Sequence, residues 1–254
     1  MSELLQRLQE LLWPVAERAR VVDIRIGAHW TVAALELEGR LRGGIASTLE
    51  STGEHHWGGE PPVRQAGHLL ELKATDWLTL LRSLSLAERS IGLATVNALL
   101  EVDLAACREV NAEQVIMEQG TGRKVAFIGH FPFVERVRAR AAVTWVFELN
   151  PHAGDLPAER APEFLPQADV IAITGTTLLN DTFDAIMRYR NPEAYVLLLG
   201  GTAPLTPVLF DYGVDLIAGT YLEDPQTALL CVSQGATFKQ VRGKRLLTLA
   251  RSFR

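Results

Sequence analysis

Five residues in the back half of this chain could bring nitrogen and oxygen donors together: His130, Glu148, Asn150, His152 and Asp155. Imidazole and carboxylate groups of this kind suit a divalent metal or proton transfer to a bound ligand. They follow two apolar runs, 125–128 and 143–149, so strands ending side by side would let them converge. None of the six histidines shows HxH or HExxH spacing, so a metal site must be assembled by the fold, with His130 and Glu148 as its first ligands. His55-His56 sits in a polar stretch and reads as solvated. A second chemistry lies in two turns. Thr174-Gly175-Thr176-Thr177, followed by Asn180 and Asp181, offers hydroxyls and backbone N–H groups suited to a carboxylate or phosphate. Gly200-Gly201-Thr202 before Pro204 repeats the pattern. Ordinary N-capping by Thr176 or Thr177 is the competing reading.

Nucleophilic catalysis finds little support. Cys107 and Cys231 have no neighbouring histidine, and neither a GxSxG elbow nor a P-loop occurs. Glu148 follows Gly129 by 19 residues, the spacing at which an acid after the second strand grips a ribose. The loop itself reads Gly129-His130-Phe131-Pro132, without the second and third glycines of a dinucleotide fingerprint, which disfavours NAD. A nucleoside without a pyrophosphate, such as S-adenosylmethionine, remains compatible.

The elements that must hold these groups fall into two halves. In the front half, Leu4, Leu5, Leu8, Leu11, Leu12 and Val15 recur at helical spacing. Alternating runs at 22–26, 32–37 and 41–45 then predict an antiparallel meander. A polar, glycine-rich loop is expected over 50–62, and helices over 74–84 and 90–100. Asn111 with Gln114 resembles a capping box for a short helix ending near Gly120. After residues 121–124, a linker in composition, apolar runs at 125–128, 143–149, 170–173, 196–199 and 214–218 alternate with helical stretches. That order predicts parallel βαβ units with ligand-facing turns along one edge, each opening a helix. Pro132, Pro204 and Pro225 are read as first helical residues, and Asp224 as an N-cap. The fold class is therefore α/β: an α+β front domain over 1–118 and a doubly wound, mainly parallel domain over 123–254.

Composition narrows the partners. A net charge of −5 argues against nucleic acid, and the Arg136, Arg138, Arg140 cluster reads as a solvated helix face. Two cysteines without CxxC spacing fit a reducing, cytoplasmic setting. No apolar stretch reaches the ~20 residues of a membrane span, and no signal peptide is visible. A homodimer is the expected assembly, two-fold oligomers being the commonest.

Four ordered motifs carry a family resemblance: SIGLATVNALL at 90–100, IGHFP at 128–132, ADVIAITGTTLLN at 168–180 and LGGTAPLTP at 199–207. They resemble the family described as "putative heavy-metal chelation", over about residues 27–236. The resemblance implies an enolase-N-terminus-like front domain joined to a Rossmann-like one, with a cleft between them. It implies that Gly44, Ser47, Thr48 and Asn97 line that cleft from the front. From the back it implies Gly129, His130, Phe131, Glu148, Thr174, Gly175, Thr176, Asn180, Gly201 and Thr202. Gly201 departs from the family pattern, which has proline there. Asn97 is equally well read as a core amide bonded to backbone. The leading expectation is a protein binding a small anionic or metal-chelating ligand. An enzyme using a nucleoside cofactor such as S-adenosylmethionine, and an assembly protein with a vestigial cleft, are the alternatives.

Overall fold

The spaced leucines form α1 (Glu3–Ala16), started by Ser2, whose hydroxyl accepts the Leu5 N–H at 3.2 Å. A computed structural model describes residues 1–49 and 60–252, so His55 and His56 and most of the expected polar loop lie outside the described residues. The chain forms two compact units, neither of them continuous in sequence: residues 1–102 with 178–180 and 220–246, and residues 103–177 with 181–219 and 247–254.

In the first unit, the alternating runs become β1 (Arg20–Ile26), β2 (Trp30–Leu37) and β3 (Arg40–Ser47), an antiparallel meander with Ala33 opposite Gly44. The helix expected over 74–84 is α2 (Ala74–Thr79), tightened into a 3₁₀ turn over Leu80–Arg82. Next comes α3 (Leu86–Leu99), which starts earlier than the apolar run because Ser85 caps it by accepting the Glu88 N–H. It is buried nearly all round and lies against β2 and β3. Glu88, 1% exposed, is held by the Arg64 guanidinium at 2.7 Å and the Ser83 hydroxyl at 2.6 Å. Burial by itself would raise its pKa. Hydrogen bonds from the Arg64 side chain, Ser83 and the Arg64 N–H outweigh that and hold the carboxyl below its ordinary value.

The second unit opens with α4 (Ala112–Gly120) and β4 (Lys124–Ile128). Asn111 caps α4 through the Glu113 N–H, but Gln114 bonds Glu118 instead of closing a capping box. Then come α5 (Val134–Arg138), β5 (Val143–Glu148), the two-residue β6 (Leu156–Pro157), α6 (Ala161–Phe164), β7 (Val170–Thr174), α7 (Phe183–Tyr189), β8 (Tyr195–Leu199) and α8 (Val208–Asp211). Strand β9 (Leu216–Leu222) follows, then α9 (Pro225–Ser233) and β10 (Lys244–Ala250); the divide between the units falls within both strands. Asp224 caps α9 as expected, accepting the Thr227 N–H at 3.1 Å, and α9 packs on β2 in the first unit. The sheet order is β10-β9-β8-β7-β4-β5-β6, and the pairings from β6 to β9 are all parallel. Strands β4, β7 and β8 are buried on both faces, which is why they read as continuous apolar runs.

Several helix starts differ from the sequence expectation. Helix α5 begins at Val134 and α8 at Val208, so Pro132 and Pro204 lie in the preceding turns. The helical stretch between the apolar runs 170–173 and 196–199 is not one helix but a 3₁₀ turn, Gly175–Leu178, then α7 from Phe183. Asp181, with φ 59°, breaks the helical path between them. Strands β6 and β10 had no signal: one has two residues, and the other follows the last helix without a clean alternation.

Candidate functional site

The strand order contains one reversal. From β4 the chain steps outward through β5 and β6, then returns to the other side of β4 with β7 and proceeds through β8 and β9. The carboxyl ends of β4 and β7 flank this reversal, where an open parallel sheet leaves a crevice for ligands.

Gly129 ends β4 there with φ 98°, and its N–H extends the ladder to the Phe147 carbonyl at 2.9 Å. A Cβ on Gly129 would lie 2.9 Å from Thr174 Cγ2, so the β4 and β7 turns abut at this point. The next residue carries the polar cluster. The His130 N–H donates to Glu148 Oε1 at 2.6 Å, and Glu148 Oε2 accepts the Leu149 N–H at 3.2 Å. Glu148 thus braces the β4 turn from the end of β5.

The His130 ring is fixed separately. Its Nδ1 lies 3.2 Å from both oxygens of Asp155, whose side chain is 2% exposed while that of His130 is 40% exposed. A carboxylate only accepts hydrogen bonds, so Nδ1 carries the proton, and in the neutral ring Nε2 keeps its lone pair. Asp155 also accepts the His152 N–H at 3.2 Å and returns its own N–H to the His152 carbonyl at 3.0 Å. The His152 ring stands edge-on to His130, centroids 6.1 Å apart.

On the other side of the reversal, the Thr174 and Thr176 hydroxyls are 3.1 Å apart, and the Thr177 hydroxyl donates to the Thr174 carbonyl at 2.8 Å. Thr177 therefore closes a turn and does not cap a helix. Gly175 lies under the β8 turn, since a Cβ there would meet the Ala203 nitrogen at 2.8 Å and Thr202 Cβ at 3.1 Å. Gly201 and Thr202 are buried. The turns after β4, β7 and β8 are thus neighbours, and α7 and α8 start well downstream of the last two. What faces outward is an imidazole and threonine hydroxyls.

Phe131 is half-buried, stacked on Phe133 at 5.4 Å and packed against Phe127. Asn150 is exposed beyond β5. Gly44, Thr48, Asn97 and Asn180 belong to the first unit. There the Asn97 amide donates to the Ile45 carbonyl at 2.8 Å, and the Thr48 hydroxyl meets that of Thr31 at 2.9 Å. Gly44 has the Ala94 carbonyl oxygen 2.1 Å from where its Cβ would be, so side-chain absence is a packing requirement. Asp155, which the sequence offers only as one of five possible donors, is the partner that fixes the His130 ring, and its placement three residues after His152 is the turn signal that hints at it.

Among the described residues, no group of three or more His, Cys, Asp or Glu side chains is arranged to hold a metal ion. Cys231 is buried in α9, and Cys107, half-buried, lies in the segment before α4. Thiophilic metals select thiolates, so a soft heavy metal caged by protein ligands does not fit this oxygen and nitrogen set. No helix among the described residues is long and apolar enough to cross a membrane.

Two family models, both described as "putative heavy-metal chelation", match the chain, one over residues 111–251 and one over residues 9–100. An uncharacterized protein of Methanocaldococcus jannaschii is 27% identical over 237 residues, which cover 91% of this chain and 89% of the relative. Two crystal structures of unknown-function members of the family matching 111–251 share the fold. The one from Pyrococcus horikoshii has a TM-score of 0.81 at 23% identity, covering 97% of this chain and 99% of that one. The one from Desulfitobacterium hafniense has a TM-score of 0.73 at 21% identity with the same coverage.

Proposed function

The chain belongs to the family described as "putative heavy-metal chelation", and on that premise we propose that it binds a metal already held by a small anionic chelator. The site is the crevice at the strand reversal of the seven-stranded sheet. The observation that carries this reading is the His130–Asp155 pair: a buried carboxylate fixes one ring nitrogen and leaves the other exposed beside the threonine turn. A histidine oriented this way is a ready ligand for an open position on a metal, the carboxylate acting as its outer-shell partner. One imidazole is too few ligands for a bare ion, which favours a chelate that brings most of its own donors. The chelator's carboxylates would meet the hydroxyls of Thr174 and Thr176. Glu148, with both oxygens on backbone N–H groups, braces the loop in this scheme and does not ligate the metal.

The nucleoside-cofactor reading rests on the position of Glu148 at the end of β5. To grip a ribose, that carboxylate would have to give up the His130 and Leu149 N–H groups, so this reading has the weaker support.

Equilibrium dialysis with nickel(II) citrate, citrate alone and nickel(II) alone tests the proposal. The expected result is retention of one equivalent of nickel citrate, with His130→Ala weakening it at least about tenfold. Equal retention of free nickel, or nickel citrate binding indifferent to His130→Ala, would refute it.

A further inference from the structure

The loop after β5 carries a second imidazole close to His130. Residues His152-Ala153-Gly154-Asp155 form a β-turn, closed by the Asp155 N–H on the His152 carbonyl at 3.0 Å. Gly154, its third residue, has φ 94°, and no atom lies within 4 Å of where its Cβ would be. Backbone conformation, and not packing, therefore calls for glycine here. The same turn brings the His152 N–H onto Asp155 Oδ2 at 3.2 Å. One buried carboxylate thus fixes both histidines, His130 by its ring and His152 by its backbone.

The result is a pair of imidazoles on neighbouring turns, with ring centroids 6.1 Å apart and planes at 87°. They differ in freedom. The His130 ring is tied at Nδ1, whereas the ring of His152, an exposed residue, takes no hydrogen bond among the described residues. Zinc–imidazole bonds are about 2.0–2.1 Å long, which sets the centroids of two rings on one metal about 5 Å apart. The observed pair is about one ångström wide of that, a gap that side-chain rotation of His152 closes with its backbone in place. Glu148, the second ligand expected from the sequence, has both oxygens on backbone N–H groups, so the donor left open on this side is an imidazole.

We infer that His152 is the second protein ligand of the chelated metal, closing onto it beside His130, an inference that rests on the chelate reading above. It narrows what the crevice takes. Two imidazoles select borderline divalent ions such as nickel, copper and zinc over magnesium and calcium, which keep oxygen ligands. The chelator must also leave two adjacent coordination positions open.

X-ray absorption at the nickel edge, on the full chain loaded with nickel(II) citrate, tests this, because multiple scattering counts the imidazoles on the metal. The parent should show two per nickel and His152→Ala one. In dialysis, His152→Ala should hold nickel citrate about tenfold more weakly, and the parent should retain magnesium citrate at least about tenfold less than nickel citrate. The N–H and carbonyl contacts of His152 persist in alanine, so the variant reads ligation without a folding defect. One imidazole in the parent, kept in His152→Ala and lost in His130→Ala, would overturn the inference and leave the chelate reading standing; His152 would then make an edge-to-face ring contact only. Nickel citrate binding indifferent to His152→Ala would overturn it likewise. A parent with no imidazole on nickel would overturn both.

Discussion

Gly44 is implied by family resemblance to line a ligand cleft, whereas its surroundings make it a packing residue, and Gly44→Ala separates the two. It lies mid-β3, opposite Ala33, and faces α3. An added Cβ would stand 2.1 Å from the Ala94 carbonyl oxygen and 2.3 Å from the Ala98 nitrogen, against 3.4 Å or more for ordinary contact. Both atoms are backbone, so no rotamer relieves the overlap, and β3 and α3 must separate by more than an ångström. The helix cannot yield locally, because Ile91, Leu93, Ala94 and Val96 on it are 0% exposed. Overpacking a core commonly costs about 1–3 kcal/mol, and a clash between two backbones belongs above that range, at about 4 kcal/mol. Alanine's smaller unfolded-state entropy offsets only about 0.4–1 kcal/mol. The net, about 3 kcal/mol, should lower Tm by about 6–12 °C for a chain of this size. Scanning calorimetry measures it, with Gly39→Ala as control: that glycine has φ 72° and no atom within 4 Å of its Cβ position. The control should cost about 1 kcal/mol from backbone strain alone. A Gly44→Ala protein melting within about 2 °C of the parent would refute the packing argument.

Two further predictions concern carboxylates. Asp155→Asn keeps the shape of the loop but leaves the His130 ring without its charged partner, and should weaken nickel citrate binding about 10–100-fold; unchanged dialysis would show that ring orientation is immaterial. Glu88, held below its ordinary pKa, contributes stability that is present above the unfolded carboxylate value near ~4.3 and is lost as pH falls through the lowered folded value. The Tm of the parent should therefore drop more steeply on acidification from about pH 5 than that of Glu88→Gln, and parallel curves would contradict the assignment.

The sequence was most legible where one face or both faces of an element are uniformly buried. The leucines of α1, the alternation of β1–β3 and the apolar runs of β4, β7 and β8 each state a period that solvent exclusion imposes. Caps with a single local partner, Asp224 and Asn111, were equally readable. Helix starts near Pro132, Thr177 and Pro204 were not. Proline tolerates a turn as well as a first helical position, and threonine hydroxyls close turns as readily as they cap. Of the candidate site, the sequence named His130, Glu148 and the threonine turn, because polar residues directly after buried strands stand out.

Their partnerships were set by contacts that local spacing does not encode. The sequence by itself determined which segments are strands, that the long apolar ones are parallel and doubly covered, and which family the four motifs belong to. Only the tertiary structure decided that β7 returns beside β4, which puts Thr174 against Gly129. It alone turned Glu148 onto a backbone N–H, set Asp155 against the His130 Nδ1, and gathered Arg190 and Arg251, 61 residues apart in sequence, onto one turn. The physical reason is that burial periodicity is a local signal repeated along a segment. A hydrogen bond or ion pair across strands instead depends on strand order and loop path, which no single segment encodes.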